Sequence, residues 1–127
     1  IDTNYEGKAD AAIEAIADRD FVYIHVEAMD EVSHEQSIEK KLKAIEDFDR
    51  RLVSRVIDAV GEHVNMAVLP DHPVPLTLGK HTRTPVPVAV LQHGATPDNV
   101  TAYDEIACLH GSLGNMKGRE FMDLLLG

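Results

Sequence analysis

A chain of 127 residues suffices for one modest domain around one core, and its 44% hydrophobic and 27% charged residues are those of an ordinary globular protein. A formal net charge of -10 without any Lys/Arg-rich run argues against nucleic acid and anionic membrane as partners. The single cysteine, Cys108, excludes an intramolecular disulfide, reads as a small buried hydrophobe and suits a reducing, cytoplasmic setting, while no apolar run approaches the ~18 residues of a membrane span.

The opening Ile-Asp-Thr-Asn-Tyr carries neither Met nor a signal-peptide pattern, and it fits a piece of a longer chain. Residues 8–18, rich in Ala with apolar residues at helical spacing, predict a helix ending near Asp18-Arg19-Asp20. Residues 21–28, FVYIHVEA, are β-branched and aromatic at their start and predict a strand. Residues 37–60 form the longest helical pattern. Ser37 is its N-cap, Ile38, Leu42, Ile45, Leu52, Val53, Val56 and Val60 trace its apolar stripe, and Gly61 stops it. Residues 64–69 read as a buried strand and 86–91 as another strand, with Pro87 as a warning of an edge or a strand start. Between them lies a loop rich in Pro, Thr and Gly. A short helix over 103–109, turns from Gly111 to Gly118 and a helix over 119–126 complete the chain. Strands alternating with helices predict an α/β fold, one domain over 1–127 with a mostly parallel sheet flanked by helices. Three strands make that sheet narrow, so strands from further chain would fit.

The residues able to do chemistry cluster at strand ends. Asp30 and His34, spaced i, i+4 after the first expected strand, share one side of a helical turn and can reach one ion. Asp71 and His72 follow the second, and His81 precedes the third. In open α/β sheets ligands gather beyond the carboxyl ends of strands, so a metal site is the leading reading. Each group alone has a plainer account: Asp30 at the positive end of a helix dipole, Asp71 starting a turn before Pro73. His25 and Glu27 share one face of the first strand, either as partners that orient a ligand or as core groups. His63 suits a helix C-terminus. His93 and His110 precede glycines in turns and read as structural or exposed, and Lys80 and Arg83 as solvated loop charges.

HVEAMDEVSHE, LPDHPVPLTLGKHTRTPVPVAVL and DTNYEGKADAA together resemble the archaeal-type cofactor-independent phosphoglycerate mutases of the alkaline phosphatase superfamily, a group with bacterial relatives proposed as homoserine kinases. The resemblance runs from about Asp2 to GREFMDLLL. It implies an alkaline-phosphatase-like fold, of which this chain is the C-terminal part, and a site for two divalent ions, Mn²⁺ or Zn²⁺ with Mg²⁺ as a further option. Carried over by motif, Asp30, His34 and His81 hold one metal and Asp71 and His72 half of the other. An Asp near the family's N-terminus and a nucleophilic Ser complete the second site, and neither matches a position here. Met29 stands where the family pattern has Pro, and Ser33 where it has Gly.

The implied activity is interconversion of 3-phosphoglycerate and 2-phosphoglycerate through a phosphoserine in glycolysis and gluconeogenesis, with the 127 residues inactive alone. A related phosphotransferase acting on homoserine is one alternative, and a non-catalytic interaction domain with structural histidines another. The expected partner is a phosphorylated small molecule. Apolar surface meant for strands from further chain predicts self-association into homo-oligomers.

Overall fold

The computed structural model describes residues 3–127. They fall into two compact units. The first comprises the described residues up to Gly61 together with Val74–Thr82, and the second comprises Glu62–Pro73 with Arg83–Gly127.

The first unit is helical. Helix α1 (Tyr5–Ile16) starts three residues before the expected one because the Asn4 side chain caps it, accepting from the Gly7 N–H at 2.9 Å. Tyr5, Ala9 and Ala12 form its buried face. Residues 21–26 then form neither helix nor strand, exposure alternates from Phe21 to Glu27 as in an extended chain, and Glu27 is already helical at φ -87° and ψ -12°. The expected strand 21–28 is not formed among the described residues, and Ala28 already begins α2 (Ala28–His34). Its composition favours extended backbone, but a strand also needs a hydrogen-bonded neighbour.

Ser37 caps α3 (Ile38–Phe48), accepting from the Lys40 N–H at 3.4 Å. A π turn (Asp49–Val53) links α3 to α4 (Ser54–Val60), and Gly61 at φ +56° ends the run. The π turn corrects one expectation. Leu52, Val53 and Val56 are buried, whereas Ile38, Leu42 and Ile45 are exposed. Bonding to i+5 takes an extra residue per turn, so apolar positions on either side no longer share one face. The face that α3 buries instead carries Ala44 and Asp47.

α1 packs on the π turn and α4, and α2 on α3. Val32, Leu52 and Tyr5, at 1–3% exposure, lie at the centre of this core. Full burial of an aliphatic side chain of this size stabilises by roughly 1.5–3 kcal/mol. Two forked ion pairs fix α1 to the helix beneath. Arg51 meets Glu6 at 2.6 and 2.9 Å, and Arg55 meets Asp10 at 2.6 and 3.0 Å. The Arg51 guanidinium also lies 5.0 Å from the centre of the Tyr5 ring.

The second unit holds β1 (Met66–Val68) and β2 (Ala89–Leu91), paired antiparallel with Ala67 opposite Val90. The expected parallel sheet is therefore not what the described residues form. A parallel return needs a crossover, usually a helix, and residues 69–88 carry five prolines and no helix. The Tyr103 hydroxyl lies 3.3 Å from the carbonyl of Val68 and 3.0 Å from that of Pro87. Asn65 donates to the carbonyl of Leu125 and accepts from the His93 N–H, and the His93 ring reaches the carbonyl of Glu62. The chain closes with a 3₁₀ turn (Ala107–His110) and α5 (Gly118–Leu126). Cys108 is half-buried rather than sealed in a core. No helix among the described residues is long and apolar enough to cross a membrane.

Candidate metal centre

Asp30 sits in the first turn of α2 and His34 in its last, so helical spacing alone places both on one side. Their side chains meet, with Nε2 of His34 3.4 Å from Oδ1 of Asp30. His81 arrives from the loop Val74–Thr82, with Nε2 3.2 Å from the same Oδ1 and 3.1 Å from Nε2 of His34. The two imidazoles lie 5.0 Å apart at an interplanar angle of 33°, so their nitrogens converge rather than stack. The side chains are part-exposed, 36% for Asp30, 41% for His34 and 53% for His81, while Oδ1 of Asp30 itself is buried.

The far side of the His34 ring is fixed. Its Nδ1 lies 2.9 Å from the carbonyl of Gly79. A carbonyl only accepts, so Nδ1 carries the hydrogen and Nε2 of the neutral ring presents a lone pair toward Asp30 and His81. Groups bound to one small divalent ion sit about 2.0–2.2 Å from it, which puts tetrahedral neighbours roughly 3.4 Å apart. Three donor atoms separated by 3.1, 3.2 and 3.4 Å match that spacing, and one oxygen with two imidazole nitrogens could hold Zn²⁺ or Mn²⁺.

A ladder of contacts attaches the His81 loop to the corner between α2 and α3. Lys41 Nζ donates to the carbonyl of Val74 at 3.1 Å and Gln36 Nε2 to that of Leu76 at 2.8 Å. His34 follows at Gly79, then Asp30 and His34 at His81. Sequence reasoning missed Gln36 and Lys41 because neither belongs to a chemical motif. The signal available was only their place beside the cap Ser37.

Asp71 and His72 belong to the second unit, with Nε2 of His72 3.4 Å from Oδ1 of Asp71. His25 Nδ1 lies 3.8 Å from Glu27 Oε1, and its ring stacks on Tyr23; both His25 and Glu27 are exposed, not core. His63 ends the 3₁₀ turn that follows α4, His93 is structural, and His110, Lys80 and Arg83 are exposed.

The sequence pattern of the Metalloenzyme superfamily matches residues 1–127. The chain belongs to that superfamily. Among its relatives is a Methanosarcina acetivorans protein named 2,3-bisphosphoglycerate-independent phosphoglycerate mutase. It is 49% identical over 130 residues, covering 99% of this chain and 33% of the relative. A Geobacter sulfurreducens protein, named a probable mutase of the same kind, is 46% identical over 130 residues, again 99% of this chain and 32% of the relative. The solved PH0037 protein of Pyrococcus horikoshii shares the fold, with a TM-score of 0.93 and 30% identity over 98% of this chain and 38% of that one. The chain thus spans about a third of the length of these mutases. At the level of fold it is an alkaline-phosphatase-like metalloenzyme segment, mixed in helix with a small antiparallel sheet.

Proposed function

We propose that this metalloenzyme segment supplies the metal ligands of a 2,3-bisphosphoglycerate-independent phosphoglycerate mutase. The observation that carries the proposal is the convergence of Asp30, His34 and His81, held by the bond from His34 Nδ1 to Gly79. The names borne by relatives at 46–49% identity support it.

In this proposal Asp30, His34 and His81 hold one divalent ion, Mn²⁺ or Zn²⁺, and Asp71 and His72 contribute to a second. When bound, such ions lower the pKa of a nucleophile and neutralise charge on phosphoryl oxygens. This chain's residues then have defined tasks. Asp30 brings negative charge that balances the cation, and His34 enters with its Nε2 lone pair already aimed. His81 closes the set from a loop open to solvent. His25 and Glu27 precede α2, just before Asp30 in the chain, and, in this proposal, help orient the ligands. The substrate is a phosphorylated small molecule, 3-phosphoglycerate exchanging with 2-phosphoglycerate. The resemblance matches its nucleophilic serine to no position of this sequence, so group transfer itself is not assigned to these residues. We also infer that the segment 21–26 is a strand of the larger, mostly parallel sheet of the whole protein.

The test is made on the full-length polypeptide, stripped of metal and reloaded. It should interconvert the two phosphoglycerates without added 2,3-bisphosphoglycerate, and His34→Ala and His81→Ala should fall to background. Turnover of homoserine with ATP, without mutase activity, would overturn the substrate. Full activity after exhaustive chelation would overturn the metal assignment.

A further inference from the structure

We infer that Gln36 is a positioning residue for the metal centre, holding from the α2–α3 corner the turn that orients His34 and delivers His81. This rests on Asp30, His34 and His81 being ligands of one ion, as proposed above.

Gln36 is the one residue other than glycine with positive φ among the described residues, at +56°. The left-handed region is disfavoured for any side chain with a Cβ, and the position just past a helix is usually glycine there. Gln36 does close α2 in this way, its N–H donating to the carbonyl of Ser33 at 3.1 Å. A cap alone gives no reason for glutamine, since glycine would do it with less strain.

The side chain supplies the reason. Its Nε2 crosses 40 positions of sequence to donate to the carbonyl of Leu76 at 2.8 Å. Leu76 lies in a tight turn, where the N–H groups of Leu78 and Gly79 both donate to the carbonyl of Pro75, at 3.0 and 2.9 Å. The stem of Gln36 packs on the far end of that turn. A Cβ placed on Gly79 would lie 3.0 Å from Gln36 Cγ and 3.1 Å from Cδ, and Gly79 itself has φ +61°. The carbonyl of Gly79 accepts from His34 Nδ1, and two residues later comes His81. Gln36 thus touches both ends of the turn that sets the tautomer of one ligand and the approach of the next. Lys41 secures the loop's start at Val74, so loss of Gln36 loosens the turn without freeing the whole loop.

Groups that orient metal ligands typically contribute 10- to 100-fold in affinity, and one acting through a turn belongs at the lower end, about tenfold. The experiment is calorimetric titration of Mn²⁺ into the metal-free full-length polypeptide, comparing wild type with Gln36→Gly, Gln36→Ala, His34→Ala and His81→Ala. Melting of each metal-free form is recorded in parallel. Co²⁺ absorption spectra report the ligand geometry. We expect Gln36→Gly, which relieves the backbone, to melt no lower than Gln36→Ala. Both should bind Mn²⁺ about tenfold more weakly than wild type, with an altered Co²⁺ spectrum. Binding by Gln36→Gly within about twofold of wild type, with an unchanged spectrum, would make Gln36 a helix cap only and end the inference. If Gln36→Ala fails to fold, Gln36→Gly carries the test alone. If His34→Ala and His81→Ala bind Mn²⁺ like wild type, the site assignment fails first, and the positioning role with it.

Discussion

The Nε2 atoms of His34 and His81 lie 3.1 Å apart although 47 positions separate the residues in sequence. Nε2 of His34 presents a lone pair there beside the carboxylate of Asp30, and Nε2 of His81 can present a second once it gives up its hydrogen to solvent. A cation relieves that convergence, so divalent metal should stabilise the fold. At a free concentration 100-fold above Kd the expected gain is about 2.7 kcal/mol, removable with a chelator. Ligands bind deprotonated, so the metal concentration needed should rise as pH falls. Melting curves across a metal series at several pH values check this. A His81→Ala variant should lose the response, and a wild type indifferent to metal would refute the prediction.

Ion pairing between α1 and the helix beneath it should carry acid sensitivity. The hydrogen-bonded guanidinium of Arg51 holds the Glu6 carboxyl down to about 2, and Arg55 lowers that of Asp10 in the same way. Asp47 is also lowered, chiefly by its bond to Lys43. All three have folded pKa values below their unfolded ones. Their contribution is therefore complete above the ordinary carboxylate range and disappears as pH falls through it toward about 2 for Glu6. Glu6→Gln should melt below wild type at neutral pH, and the gap should close by about pH 2. A gap that persists unchanged in acid would show that the pair acts through packing, not charge.

Much of the candidate site was legible because it depends on local geometry. The i, i+4 spacing of Asp30 and His34 is meaningful wherever a helix forms, and α2 forms there. Ser37 and Gly61 marked helix ends correctly because caps are also local. The convergence of His81 was not readable from spacing, since it depends on a loop tied down by Lys41, Gln36 and His34. The π turn at Asp49–Val53 left no mark in a pattern read at constant period, so Ile38, Leu42 and Ile45 were expected on the buried stripe. The sheet failed for a different reason. Composition favours an extended chain at 21–26, but pairing is a property of two segments, and composition reports on only one at a time.

Small residues set the approach of α1 to its neighbours. Ala9 is fully buried, and Ala12 and Ala44 nearly so. A larger group at position 9 must displace neighbours packed at the density of an organic crystal. Ala9→Leu should therefore destabilise by about 1–3 kcal/mol despite its added hydrophobicity. Urea unfolding measures it; an unchanged midpoint would mean that the helices part without cost.

In the second unit, where no described residue is fully buried, hydrogen bonds must do more of the holding. Tyr103 joins the end of β1 at Val68 to the chain entering β2 at Pro87. Burial, with lesser contributions from Cys108 and Glu105, pushes its hydroxyl up to about 12. The folded pKa lies above that of an unfolded tyrosine. The stabilisation is thus complete below the ordinary tyrosine range and lost as pH rises toward about 12. Tyr103→Phe should cost about 0.5–1.5 kcal/mol near neutrality, the usual net worth of one such bond. Ultraviolet titration of the three tyrosines, Tyr5, Tyr23 and Tyr103, supplies the second check. The variant should lose a phenol that ionises late, and loss of an early one instead would place the Tyr103 hydroxyl in water.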